Sequence, residues 1–164
     1  MGNIFNACKG GNPEATNAGE LVIKNSDLVR YQNGGVKNTY DVGDVLGEGG
    51  YGQVRKVTHR VTGLERALKT VTKSKLSAKD KNRMLLEVAL LKELNHPNII
   101  RLVDVYDDPY FLYLVTEYCT GGELFDRIIE VRNFSEGQAA RVLYQVLSAI
   151  AYCHEHKIVH RDLK

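Results

Sequence analysis

A chain of 164 residues with 43% hydrophobic and 26% charged residues has the make-up of one soluble globular domain and is too short for two sizeable ones. Its formal charge of +2 gives no strong pull toward nucleic acid or a membrane surface, and no apolar run approaches a membrane span. Three cysteines, Cys8, Cys119 and Cys153, are far apart and odd in number, so no disulfide framework is suggested and a reducing, cytoplasmic compartment fits best.

Residues 1–39 stand apart as a flexible N-terminal extension. Their start is polar and Asn-rich, unlike a secretory leader, and "GGNPEATNAG" (10–19) has no hydrophobic period. The segment "ELVIKNSDLVRYQNGG" (20–35) could dock weakly on the domain that follows. "MGNIFNAC" fits an N-myristoylation start at Gly2 with Cys8 as a palmitoyl site, although Asn6 stands where Ser or Thr is preferred. One acyl chain binds membranes only marginally, so membrane association would need both positions.

From Tyr40 the texture changes. "YDVGDVLG", "QVRKVTHRVTG" and "LERALKTVT" read as consecutive antiparallel strands joined by tight turns. A helix begins at "SAKD", where Ser77 and Asp80 make a capping-box-like start, and runs through Met84, Leu85, Val88, Leu91 and Leu94 until "NHPN" (95–98) stops it. Two further strands follow, "IIRLVDVY" (99–106) and "YFLYLVTEY" (110–118), then a glycine joint, "CTGGE". Beyond it lie a short amphipathic helix, "ELFDRIIE", and a long one, "SEGQAARVLYQVLSAIAYCHEH", opened by a Ser135/Gln138 capping box. The long helix is apolar on most faces, as a helix at the centre of a sizeable helical domain would be. "CHEHKIVH" (153–160) tempts a metal reading. His154 and His156 would point to different helix faces, and His156 and His160 are separated by what looks like an extended segment, so convergent ligands are not expected.

The stretch "DVLGEGGYGQVRKV" (44–57) contains Gly47, Gly49, Gly50 and Gly52 in a G-x-G-x-x-G frame. In a dinucleotide-binding unit such glycines lead from a strand into a helix whose N-terminus receives the pyrophosphate. Here Val54, Val57 and Thr58 follow, which is a strand. The loop is therefore a strand–turn–strand flap whose backbone can lie across phosphates. "RALK" (66–69) places Ala67 and Lys69 on one side of the next strand: the small residue leaves room for a flat base, and the lysine can hold phosphate oxygens. Glu87 falls between Leu85 and Val88 on the helix, where a carboxylate can reach back to pair with Lys69.

In this order, the glycine flap, the Ala-x-Lys strand, the glutamate of "EVALLKELNHPNII", the hinge "LVTEYCTGGELFDRI" and the terminal "HRDLK" resemble a protein kinase over residues 40–164. The wording is most similar to the calcium- and calmodulin-dependent Ser/Thr kinases, especially the calcium-dependent protein kinases. The resemblance implies an α+β, two-lobe fold. Residues 40–118 would form a complete N-terminal lobe, a five-stranded antiparallel sheet plus one helix, and 119–164 the hinge and start of the helical C-terminal lobe.

It further implies that Leu46 and Val54 sandwich adenine with Ala67, and that backbone amides of Gly49 to Gly52 cover the phosphates of ATP. The whole loop Gly47, Glu48, Gly49, Gly50, Tyr51, Gly52 and Gln53 would belong to the ATP site. Lys69, held by Glu87, would grip the α- and β-phosphates. Thr116 would be a small gatekeeper, the backbone of Glu117 and Cys119 would meet the adenine edge, and Glu123 would meet the ribose or a basic residue of the substrate. Asp162 would orient the hydroxyl of a protein substrate, and Lys164 would stabilise the transferring phosphoryl and favour Ser/Thr over Tyr. His160 would support that loop rather than react.

The family's Mg2+ ligands, an Asn and the Asp of a D-F-G, are expected beyond Lys164, and no EF-hand pattern occurs, so calcium control would need a further C-terminal region. Leaving about six large apolar side chains of the long helix in water forfeits on the order of 10 kcal/mol, as much as the whole stability of a typical domain. The reading is thus of an inactive N-terminal part of a Ser/Thr kinase, with a non-catalytic nucleotide-binding or decoy module as the alternative. The sequence identifies neither the protein substrate nor the activating signal.

Overall fold

A computed structural model of the chain describes residues 30–33, 35–50, 52–160 and 163. Its strands are β1 (Arg30–Asn33), β2 (Tyr40–Gly49), β3 (Gly52–His59), β4 (Glu65–Thr72), β5 (Leu102–Asp107) and β6 (Phe111–Glu117), in the order β1-β5-β6-β4-β3-β2. The helices are α1 (Val36–Thr39), α2 (Ala78–Glu93), α3 (Leu124–Val131) and α4 (Glu136–Glu155). The five antiparallel strands read from the sequence are all present. A sixth is added: β1 pairs in parallel with β5, Arg30 opposite Asp104 through Asn33 opposite Asp107. The sheet therefore includes residues ahead of Tyr40, and residues 1–29 lie outside the described part.

Each face of the sheet carries a hydrophobic cluster. On one face Val88, Leu90, Leu91 and Leu94 of α2 pack over Val71, Leu102, Val105, Leu112 and Leu114, joined by Cys153 and Ile158. On the other, Val36 and Tyr40 close over Val57, Leu68, Tyr106 and Val115. Burying each such side chain contributes about 1.5–3 kcal/mol, enough to explain why the short polar β1 is held. It is also tied by polar bonds. The Tyr40 hydroxyl donates to the fully buried Asp104 carboxylate, and the Gln32 amide donates to the Tyr106 hydroxyl at 3.2 Å. The Tyr40 ring meets Tyr106 and His59 edge-on.

Helix α2 starts where the Ser77 hydroxyl accepts the Asp80 N–H at 3.2 Å. With about 100° per residue, Leu90, Leu94, Glu87, Leu91, Met84 and Val88 fall in that order within about 160° of arc. Leu85 lies about 60° past Val88. It is 55% exposed, so the expectation that Leu85 is a core position is corrected, and Leu90 takes that place. Glu87 thus sits inside the buried arc rather than at its edge.

Helix α4 carries the expected capping box, with Gln138 N–H on Ser135 Oγ and Ser135 N–H on Gln138 Oε1. It touches the sheet lobe along one narrow line. His96 Nε2 lies 3.1 Å from Ser148 Oγ, and the Asn95 N–H donates to the Tyr152 hydroxyl at 3.0 Å. Leu143, Tyr144, Val146 and Leu147 of α4 and Leu124, Phe125, Ile128 and Ile129 of α3 are exposed.

Candidate nucleotide-binding site

The strand register assembles the site on the α2 face of the sheet. One row runs Gly47–Val54–Lys69–Leu114–Val105 across five strands. The adjacent row on the same face, two residues along, runs Lys56–Ala67–Thr116–Leu102. Val54 and Ala67 are therefore diagonal neighbours, with the methyl of Ala67 leaving space beside the isopropyl of Val54. Lys69 lies on the strand next to Val54, so one ligand can meet all three. Leu46 is the extra residue of an irregularity between Val45 and Gly47, and it remains 40% exposed at the rim.

The flap's glycines divide by cause. A Cβ on Gly52 would stand 1.8 Å from the Thr70 carbonyl oxygen, so this glycine is demanded by the close approach of the β4 backbone. Gly50 meets nothing within 4 Å, and a Cβ on Gly49 would come only within 3.9 Å of Gly52 O. Neither is required by the protein's own packing, which leaves both backbones open to a ligand. Glu48 pairs with Gln53 in the register, and both side chains line the cleft on the opposite face of the sheet. Their side chains thus face away from Val54 and Lys69. Tyr51 lies outside the described residues.

Lys69 and Glu87 face each other without touching. Among the described residues the ion pairs within 4 Å are Lys56–Glu65, Arg60–Asp41, Lys73–Asp107 and Arg127–Glu130. Burial pushes the Glu87 carboxyl above its ordinary range, and the Lys69 charge pulls it part of the way back. The pair is coupled through space.

At the hinge, half-buried Thr116 donates its hydroxyl to the Glu117 carbonyl at 3.2 Å. The Glu117 N–H is taken by Arg101 O at 3.1 Å, and its carboxylate accepts the Arg101 N–H at 3.0 Å. Of Glu117's two backbone groups, the carbonyl alone keeps a free lone pair for an adenine amine. Cys119 is exposed with a free thiol. Gly121 and Gly122 turn the chain at φ 101° and 76°, a left-handed region that suits glycine, and deliver exposed Glu123 as the N-cap of α3. Lys56 was missed by the sequence reading. Its ammonium lies 5.4 Å from the Tyr118 ring centre and pairs with Glu65 at 2.6 Å, bridging β3 to the hinge. The signal was its register beside Ala67, which only the pairing reveals. Half-buried His160 is at the end of the described stretch, and Asp162, Lys164, Gly2 and Cys8 lie outside the described residues.

Comparison with known proteins gives the family. The protein kinase domain family matches residues 40–164. The chain belongs to that family. It is 41% identical over 135 residues to a probable myosin light chain kinase of Dictyostelium discoideum, covering 82% of this chain and 34% of that protein. It is 45% identical over 127 residues to calcium/calmodulin-dependent protein kinase type II of Caenorhabditis elegans, covering 77% and 18%, and 45% identical over 119 residues to calcium-dependent protein kinase 5 of Plasmodium berghei, covering 73% and 21%. The solved twitchin kinase fragment of C. elegans superposes with a TM-score of 0.76 at 32% identity, over 85% of this chain and 31% of that one. The chain thus spans about a third or less of each of these relatives.

Proposed function

We propose that this chain is the ATP-binding part of a Ser/Thr protein kinase, whose whole protein moves the γ-phosphate of ATP to a protein Ser or Thr hydroxyl. The observation that carries the reading is the single row Gly47–Val54–Lys69 with Glu87 above it on the facing helix. The site suits ATP: an unobstructed glycine backbone for phosphates, a lysine beside it, a small Ala67 for the base and one free carbonyl lone pair at Glu117. Lys69 holds phosphate oxygens as a point charge, and Glu87 fixes the direction of that lysine. Thr116 shapes the depth of the base pocket, while Asp162 and Lys164 keep the roles that the family implies.

Mg2+ would supply charge neutralisation of the phosphates. Among the described residues no group of three or more His, Cys, Asp or Glu could hold a metal by itself. Calcium regulation, suggested by the names of the relatives, would come from residues beyond these elements. Acylation at Gly2 and Cys8, giving a cytoplasmic protein partly held at membranes, is a separate proposal, and mass spectrometry of the native N-terminus decides it. Among the described residues no helix is long and apolar enough to cross a membrane.

The test is ligand-linked melting of the purified chain. ATP at about one hundred times its Kd should stabilise the fold by about 2.7 kcal/mol. Lys69→Met should remove most of that gain while leaving the unliganded melting temperature close to wild type. An unmoved transition at millimolar ATP in the wild type would overturn the reading.

A further inference from the structure

The second face of the same sheet carries a feature the nucleotide site does not use. There Gln53, Thr70 and Tyr113 form one row, and Arg55 and Leu68 belong to the next, both opposite in facing to Val54 and Lys69. Helix α1 covers part of this face through Val36 on the core. The remainder is a cleft of about 630 Å3 with a mixed lining: Leu68, Phe111 and Val42 are apolar, Thr70, Thr72 and Gln53 are neutral hydrogen-bonding groups, and Lys37, Arg55 and Lys75 are cations from three separate elements.

The lining itself carries three cations against one acid. Lys56, Arg60 and Lys73 each have a carboxylate partner, namely Glu65, Asp41 and Asp107. Among the described residues Lys37, Arg55 and Lys75 have none within 4 Å, and Glu48 is the one acidic residue in the lining. Arg55 is moreover held in place by neutral acceptors. Its Nε donates to Gln53 Oε1 at 2.7 Å and one Nη to Gly43 O at 3.2 Å, which leaves the second Nη oriented and available. A guanidinium fixed this way loses little freedom when it meets a carboxylate.

We propose that this outer cleft is a docking site for an acidic peptide segment of a partner protein, one carrying a bulky apolar residue between carboxylates. The apolar residue would rest on Leu68 and Phe111, the carboxylates would meet Lys37, Arg55 and Lys75, and Gln53 and the two threonines would serve the peptide backbone. A volume of this size holds several side chains rather than one small anion. A net charge of +2 argues for a local acidic segment over a nucleic acid. This site stands independently of the nucleotide reading, because it lies on the other face of the sheet.

Fluorescence anisotropy of the full chain with a fluorescein-labelled Glu-Glu-Leu-Glu-Glu peptide tests it, with Lys-Lys-Leu-Lys-Lys as control. The acidic peptide should bind, the basic one should not, and affinity should fall steadily as ionic strength rises above about 0.15 M. Lys37→Glu combined with Lys75→Glu should weaken binding about tenfold, since each reversal both removes a surface attraction and adds a repulsion. Neither lysine carries a structural bond, so the melting temperature should be unchanged. Equal affinity for the two peptides, or an undiminished affinity in the double variant, would overturn the proposal. So would anionic phosphatidylserine vesicles that sediment with the chain through these lysines while the acidic peptide stays free, which would make the cleft a membrane face.

Discussion

The sheet lobe and the two helices after the hinge both carry many apolar side chains and end in opposite states. In the sheet, Leu102 and Val105 are wholly buried under α2, and Val115 under Val36 and Tyr40 on the other face. In α3 and α4, Phe125, Ile129, Leu143 and Leu147 are exposed although each helix is well formed and α4 is well capped. Capping contributes about 1 kcal/mol and starts a helix; it does not bury the helix. The difference teaches that local signals fix elements, whereas stability resides where a second layer is present.

The largest test of that contrast is a glycine pair in the flap. Gly52→Ala sets a methyl 1.8 Å from the Thr70 carbonyl oxygen, and backbone cannot yield as a side chain tip would. It should cost about 3 kcal/mol or more and unfold much of the lobe in thermal melts. Gly50→Ala meets open space and should leave the melt within about 0.5 kcal/mol of wild type, its effect falling on ATP affinity instead. Next comes a matched leucine pair. Leu102→Ala in the core should lose about 2–5 kcal/mol in urea titration, whereas Leu147→Ala, 54% exposed on α4, should change stability by less than about 0.5 kcal/mol. Equal losses at the two sites would mean that α4 has a cover and the contrast fails.

The N-terminal addition gives a smaller effect. Tyr40→Phe keeps the ring in its apolar setting and removes one donor from the fully buried Asp104 carboxylate. The expected cost is about 1–3 kcal/mol by chemical denaturation, for a buried acceptor losing a partner. A loss near zero would show that Asp104's other contacts suffice without the Tyr40 hydroxyl.

Much of this was legible in the sequence, and the failures have physical causes. Strands β2 to β6 announced themselves through β-branched runs between glycine turns, and Ser77 and Ser135 marked helix starts because their hydroxyls have an immediate local task. Strand β1 was invisible. "RYQN" is polar, its pairing with β5 is non-local, and the residues that secure it, Val36 and Tyr40, lie outside it. The phase of α2 was misjudged at Leu85 because leucines at 85, 86, 90 and 91 allow more than one apolar arc. Glu48 and Gln53 were assigned to the nucleotide because they sit within the glycine frame. For Glu48, irregularities between Val42 and Val45 and between Val45 and Gly47 shift the alternation of β2, which a count along the chain cannot see. Gln53 is simply the neighbour of Val54 on β3 and faces the other way. Val54, Ala67 and Lys69, in contrast, lie on strands without bulges, and there counting by twos succeeded.

The smallest predicted effect concerns Glu87, where stability and function should part. Burial raises its carboxyl above the ordinary glutamate range, with the Lys69 charge opposing that shift. The folded state therefore favours the protonated form more than the unfolded chain does. The associated stability is fully present below the unfolded value and is lost as pH rises through the folded one. Glu87→Gln imitates the neutral form at every pH. Melting temperatures of variant and wild type should coincide near pH 4 and separate toward pH 7, with the variant slightly more stable. ATP should bind the variant more weakly, because Lys69 loses the charge that directs it. Were the wild type instead the more stable protein at pH 7, the ion pair with Lys69 would outweigh the desolvation of Glu87. The gap between the two side chains would then be closed in solution before any nucleotide arrives.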